Sequence, residues 1–417
     1  MSLSDSRTAL LVAAAAFAIH LAAQALVLER LGIAEAPDYR GFYRPAAESL
    51  VAGRGLVTGD GAFAVRYPPG YPVALTLPVG LAALTGADAD LLVRIWSLLL
   101  AAVTSALVYL GSRGCFAPLP SLAAAALWTL YPLALWMFAQ NNSEVLFTPL
   151  LIGVAVAFAG ALRARRPGPI GPLSVGALCG LAALVRPAAI GLAAVLAVCW
   201  LAWGRGPALR RLPGAALIAG AFLVVVTPWV VASHHRLGRL IPLSTGGPPS
   251  LADGLTYAVR DRGYREGVEI PAAARQVMLQ VREGYSATMS TGEVLGLFLE
   301  AARARPLGAA QLLGHKAARS WYGTDSQRRE PLVALIQLLF LPPVALGLWR
   351  AARWGDEPAR ALARTAGAVG GWLWLAAVFG LSIARYTVPA VAVAAMLLPG
   401  LALGRRTAVR QAPLGPG

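Results

Sequence analysis

The stretch Tyr71-Pro72-Val73-Ala74-Leu75-Thr76-Leu77-Pro78-Val79-Gly80-Leu81-Ala82-Ala83-Leu84 decides how the rest of the chain is threaded. It is apolar, yet it is shorter than the roughly 20 residues a helix needs to cross a bilayer, and it carries two prolines. Apolar runs at 8–28, 91–110, 119–138, 145–162, 172–185, 188–203, 213–232, 331–348, 365–383 and 388–403 surround it. Of the 417 residues 57% are hydrophobic and only 13% charged, a balance that leaves a membrane as the solvent for the fold. The first run is too long for the apolar core of a signal peptide and reads as a retained anchor. The expected class is therefore all-α, a polytopic membrane protein with about ten transmembrane helices.

Arginine placement settles the threading. If 71–84 does not cross, Arg113, the cluster Arg163/Arg165/Arg166, then Arg205/Arg210/Arg211, Arg350/Arg353/Arg360/Arg364 and Arg405/Arg406/Arg410 all fall on one side. That is the positive-inside pattern of a cytoplasmic face. If it does cross, the 163–166 cluster moves outside. The segment is therefore read as interfacial or re-entrant, tolerable where it packs against protein. The same parity gives one membrane-embedded domain over 1–417 with two long outer loops, 29–69 and 233–330. Within the second, 271–284 and 292–322 mix apolar and basic residues, as amphipathic helices on a membrane surface do.

The net charge of +16 does not point to nucleic acid, because the basic residues sit in short clusters between apolar runs and form no continuous basic face. Membrane lipids are the partners it implies. Cys115, Cys179 and Cys199 have no C-x-x-C spacing, so neither a disulfide framework nor a zinc site is expected. No cofactor is required by the residues, and a divalent metal is left open.

Charged groups at the outer rim are costly and mark candidate sites. The first loop contains Asp38-Tyr39-Arg40-Gly41-Phe42-Tyr43 and Arg66-Tyr67-Pro68-Pro69-Gly70. A carboxylate just past a membrane helix, set among aromatics, suits a general base for a hydroxyl or amine nucleophile. On composition alone Asp38 reads sooner as the cap of a short surface helix. Glu144, after Asn141-Asn142-Ser143, opens a span, where an acid also suits the helix N-terminus. Arg186, Arg236, Lys316 and Arg385 lie on the side where positive-inside does not put them. A phosphate head group accounts for all four, and anionic lipid heads account for Arg236 or Arg385 singly. His234-His235 has no acidic partner at metal spacing.

Taken in order, these motifs resemble the GT-C superfamily of polyprenyl-phosphate-sugar-dependent glycosyltransferases, in the branch of bacterial protein O-mannosyltransferases and lipid A aminoarabinose transferases. The resemblance is carried by Asp38 with Tyr43, Tyr67-Pro68-Pro69-Gly70-Tyr71-Pro72, Ser143-Glu144, Leu184-Val185-Arg186-Pro187, Thr227-Pro228-Trp229 through His235-Arg236, Lys316 with Trp321, and Arg385-Tyr386-Thr387-Val388-Pro389. It implies Asp38 as catalytic base and Glu144 as second catalytic carboxylate. It implies Arg186, Arg236, Lys316 and Arg385 for the donor phosphate, and Tyr43, Arg66, Tyr67, His235 and Tyr386 as substrate contacts. The implied partners are a polyprenyl-phosphate-linked sugar donor and a lipid, glycan or protein acceptor. The implied reaction inverts the anomeric carbon at the outer face of a bacterial inner (plasma) membrane. The chain departs from many relatives at Tyr39, where they have a second acid, and at His234-His235, where they have Arg-Asn. Two other readings compete: a transporter or flippase of anionic lipid-linked sugars, and a non-catalytic prenyl-phosphate-binding relative. Transporters place ionisable groups at mid-membrane. Here they crowd toward one face.

Overall fold

The computed structural model describes residues 3–30, 32, 35–164, 168–259 and 269–404. Arg165, Arg166, Arg405, Arg406 and Arg410 of the expected cytoplasmic clusters lie outside the described residues. Among the described residues the regular structure is helical, apart from one isolated bridge between Val57 and Phe63.

The α-helices run α1 Leu3–Ala23, α2 Arg44–Val51, α3 Gly70–Thr85, α4 Ala89–Arg113, α5 Pro118–Thr129, α6 Pro132–Ala139, α7 Glu144–Arg163, α8 Ile170–Val185 and α9 Leu192–Trp203. Then follow α10 Ala208–Leu237, α11 Gly247–Leu255, α12 Ala272–Gly284, α13 Thr291–Ala304, α14 Pro306–Tyr322, α15 Glu330–Trp354, α16 Glu357–Phe379 and α17 Ala384–Ala395. Six stretches, led by α1 with its π-helical extension to Leu28, are long and apolar enough to cross a membrane; the others are α4, α7, α10, α15 and α16. The remaining expected spans are shorter or broken, so ten full-length spans are not what the helices provide. The run 119–138 bends by 56° between α5 and α6. Its cause is local, because Tyr131 precedes Pro132 and takes the extended conformation that a proline imposes on its predecessor. Arg186-Pro187 separates α8 from α9 in the same way.

Side-chain pairs sort the helix ends into two sets. At one end Arg113 pairs with Asp5 at 2.8 Å, Arg163 reaches the Gly114 carbonyl at 3.4 Å, and Arg205 pairs with Glu357. Arg211 there donates to the Leu201 carbonyl, and Arg350 to the Leu401 carbonyl. At the other end Arg94 pairs with Glu29, Asn141 with Glu35, and Arg186 and Arg385 with Glu144. Arg113, Arg163, Arg205, Arg211 and Arg350, all expected in the cytoplasm, thus share one end, and Glu144, Arg186 and Arg385 lie at the opposite one.

Both ends of α3 return to the site end. Tyr71, in its first turn, donates to the Asn141 carbonyl at 2.8 Å. Beyond its left-handed Gly86 cap, Asp90 accepts from Tyr39 at 3.0 Å and from Arg44 at 2.5 Å. With Tyr71 at its start and Asp90 just past its end both tied to the site end, α3 does not carry the chain to the opposite end, which matches an interfacial or re-entrant segment. In a cysteine-free background, Asp60→Cys is expected to react with an impermeant maleimide added outside intact cells, and Gly168→Cys only after permeabilisation. Labelling of position 168 from outside would reverse the arginine parity.

Within the second loop the helices also pack on one another. Val277, Met278 and Val281 of α12, Val294 and Phe298 of α13, and Leu312 of α14 close a second, smaller core with Leu255 of α11. Their apolar faces meet one another, which removes apolar area from water.

Candidate functional site

Three local rules place the charged groups. Asn141 takes a left-handed conformation at φ 50°, which asparagine tolerates better than most residues, and this turns the chain into α7 with Glu144 in its first turn. Arg186 precedes Pro187 and is extended, so α8 ends and the guanidinium leaves the helix axis. A Cβ at Gly70 would lie 2.7 Å from the Leu184 carbonyl oxygen, so only glycine lets the start of α3 approach the end of α8 this closely.

Together these bring Arg186 Nη1 to 2.6 Å from Glu144 Oε1, and Arg385 Nε to 2.9 Å from the same oxygen. Arg186 also donates to Ser143 Oγ at 2.9 Å. Arg385 Nη2 is 3.7 Å from Asp38 Oδ2, while Tyr67 donates to Asp38 Oδ1 at 2.8 Å. Two carboxylates therefore balance two guanidinium groups. Glu144 is 1% exposed, whereas the Asp38 side chain is 29% exposed. An acid at the N-terminus of α7 also gains from the helix dipole. The Tyr386 ring lies 4.8 Å from the Arg186 guanidinium and 5.5 Å from that of Arg385. Tyr43 donates to Ser143 at 3.4 Å and packs against Tyr67 with ring centroids 5.2 Å apart. Burial, and then the charge of Asp38, push the Tyr67 phenol up, so it stays a proton donor to that carboxylate.

Not every expected residue joins this network. Arg66 is exposed at the rim, 5.7 Å from the Tyr67 ring. His235 and Arg236 are exposed in the last turn of α10. Lys316 is fully buried, and its amine donates to the carbonyls of Gly254 at 2.5 Å and Gly380 at 2.9 Å. Those carbonyls sit at the ends of α11 and α16, where helices leave acceptors unpaired. Lys316 thus spends its amine on backbone carbonyls, whereas Arg186 and Arg385 pair with Glu144. Among the described residues no group of three or more His, Cys, Asp or Glu could hold a metal ion.

Burial, with Arg319 beside it, pulls the Lys316 amine down to about 7. Its folded-state value lies below its unfolded one, so from about pH 7 to about pH 10 the unfolded chain holds the extra proton and stability rises with pH. Thermal melts of the purified protein are expected to show a gain over this window that Lys316→Met lacks. Parallel pH profiles for the two proteins would contradict the burial of a neutral amine.

Sequence reading missed Arg319, which reaches Glu330 Oε1 at 2.5 Å and the Ser382 carbonyl at 2.9 Å. Its spacing from Lys316, one helical turn on, was the available signal.

Comparison with known proteins bears on the same region. Residues 68–231 match the family of dolichyl-phosphate-mannose-protein mannosyltransferases. The resemblance drawn from the motifs is thus met in this segment, which includes Glu144 and Arg186 and does not reach Asp38 or Arg385. The chain is also similar to the apo oligosaccharyltransferase of Archaeoglobus fulgidus, at 12% identity and a TM-score of 0.49, covering 96% of this chain and 51% of that one. The same organism's oligosaccharyltransferase AglB, in complex with an inhibitory peptide and a dolichol-phosphate, gives 13% identity and a TM-score of 0.45, covering 95% and 50%. ArnT from Cupriavidus metallidurans bound to undecaprenyl phosphate gives 18% identity and a TM-score of 0.40, covering 94% and 77%. The chain spans about half the length of the archaeal proteins. No curated protein matches it.

Proposed function

We propose that this membrane protein transfers a sugar from a polyprenyl-phosphate carrier to a lipid, glycan or protein acceptor at the outer face of a bacterial inner membrane. The observation that carries the reading is the pairing of a half-exposed carboxylate, Asp38, with buried guanidinium groups in one network. The match to a family that uses a dolichyl-phosphate sugar supports the donor class.

In this reading the acceptor hydroxyl or amine attacks the anomeric carbon and gives its proton to Asp38 Oδ2, since Tyr67 holds Oδ1. The bond from the anomeric carbon to the phosphate oxygen breaks, and its electron pair leaves with the phosphate. A single displacement inverts the anomeric centre. Arg385 and Arg186, which share Glu144 with each other, move toward the departing phosphate and stabilise its charge. Glu144 then acts by positioning the two arginines. Arg66 and Tyr386 would meet the sugar or the phosphate at the rim.

The test is to incubate purified protein with a panel of prenyl-phosphate sugars and candidate acceptors, and to look for acceptor modification by mass spectrometry. Transfer from at least one donor is expected. A panel that yields no modified acceptor, while the protein still binds polyprenyl phosphate, favours the non-catalytic reading.

A further inference from the structure

Arg385 owes its position to the second outer loop. The link between α16 and α17 is four residues, 380–383, and its free carbonyls are held by side chains of α14. Lys316 Nζ donates to the Gly380 carbonyl at 2.9 Å, and Arg319 Nη1 to the Ser382 carbonyl at 2.9 Å. Backbone and hydroxyl bonds continue the seam: the Ala384 amide donates to the Gly323 carbonyl at 2.9 Å, and Thr387 Oγ1 to the Ser320 carbonyl at 3.0 Å. Residues 316, 319 and 320 lie on one face of α14 and Gly323 follows its last turn, so the end of this helix sets the register of the first turn of α17. That turn bears Arg385. The second arm of Arg319 is fixed by Glu330 and by the Thr324 carbonyl, so both of its terminal nitrogens are engaged within the protein.

We infer that Lys316 and Arg319 are positioning residues that act on the reaction through Arg385, by clamping the carbonyls of the 380–383 link, and are not ligands of the donor phosphate. The inference rests on the transferase reading for its kinetic consequence, but the clamp itself does not. An ammonium at position 319 keeps the charge and loses the two-armed geometry, so Arg319→Lys separates the clamp from a bare electrostatic role.

Two arms test it on the full-length protein. In hydrogen exchange, peptides covering 380–387 are expected to exchange at least about tenfold faster in Arg319→Lys than in wild type, because the bonds holding the link open together. Unchanged protection would remove the clamp. In a double-mutant cycle on transfer rate, Arg319→Lys is expected to cost about 10- to 100-fold alone and less than about 2-fold in an Arg385→Gln background. Additive losses would show that Arg319 acts independently of Arg385 and would overturn the inference. If Arg319→Lys does not fold, Lys316→Met, which keeps the length of the stem and removes both donors, enters the same two arms. If wild type neither transfers sugar nor binds a short-chain polyprenyl phosphate, the functional reading fails and the exchange arm alone decides the clamp.

Discussion

Asp38→Asn is expected to lower sugar transfer by about 100- to 10,000-fold while leaving membrane insertion and binding of polyprenyl phosphate close to wild type. The amide keeps the size of the carboxylate and can still accept from Tyr67, whose hydroxyl reaches Oδ1 at 2.8 Å. It cannot take a proton from the nucleophile. Asp38 makes no side-chain cap bond to the π-turn that follows it, so a helix-capping role gives the substitution no separate route to damage. The measurement is turnover of purified variants matched by thermal melt. Near-wild-type turnover in Asp38→Asn would end the assignment of the base.

The second large effect concerns stability. Glu144 is buried and its Oε1 lies within 2.9 Å of both Arg186 and Arg385, so Glu144→Gln leaves Arg186 without a carboxylate and Arg385 with only the more distant Asp38. Breaking a buried pair in this way costs about 3 to 5 kcal/mol, most of it the penalty of the orphaned charge. A sharply lower melting midpoint is expected for Glu144→Gln. Adding Arg186→Met should recover part of the loss, because one of the uncompensated charges is removed with it. A double variant less stable than Glu144→Gln alone would show that the arginines are held by something other than this carboxylate.

How much of this was legible beforehand follows from the kind of signal each feature carries. Charge parity along the chain was enough to put Asp38, Glu144, Arg186 and Arg385 at one end, with Arg236 and Lys316, because a membrane allows each loop only two sides. The prolines in 71–84 and the arginine clusters after it were enough to deny that segment a crossing. The bend between α5 and α6 was written in Tyr131-Pro132, although a count of apolar residues runs straight through it. The partners of Lys316 were not legible, for a different reason. Sequence shows its charge, but not that the carbonyls of Gly254 and Gly380 end two helices beside it. The α12–α14 helices have the periodicity of a lipid-facing surface, and periodicity does not say whether the apolar face meets lipid or another helix. The sharing of one Glu144 oxygen by two arginines is tertiary geometry, which no spacing in the chain encodes.

Transfer and translocation are separated most directly in proteoliposomes containing a short-chain polyprenyl-phosphate sugar labelled in both its sugar and its phosphate. The expected result is that the two labels part. The sugar appears on the acceptor with inverted anomeric configuration, one free polyprenyl phosphate is released for each sugar moved, and both products are lost in Asp38→Asn. Labels that stay together on an intact lipid and change leaflets would contradict the transferase account and make the protein a carrier of lipid-linked sugars.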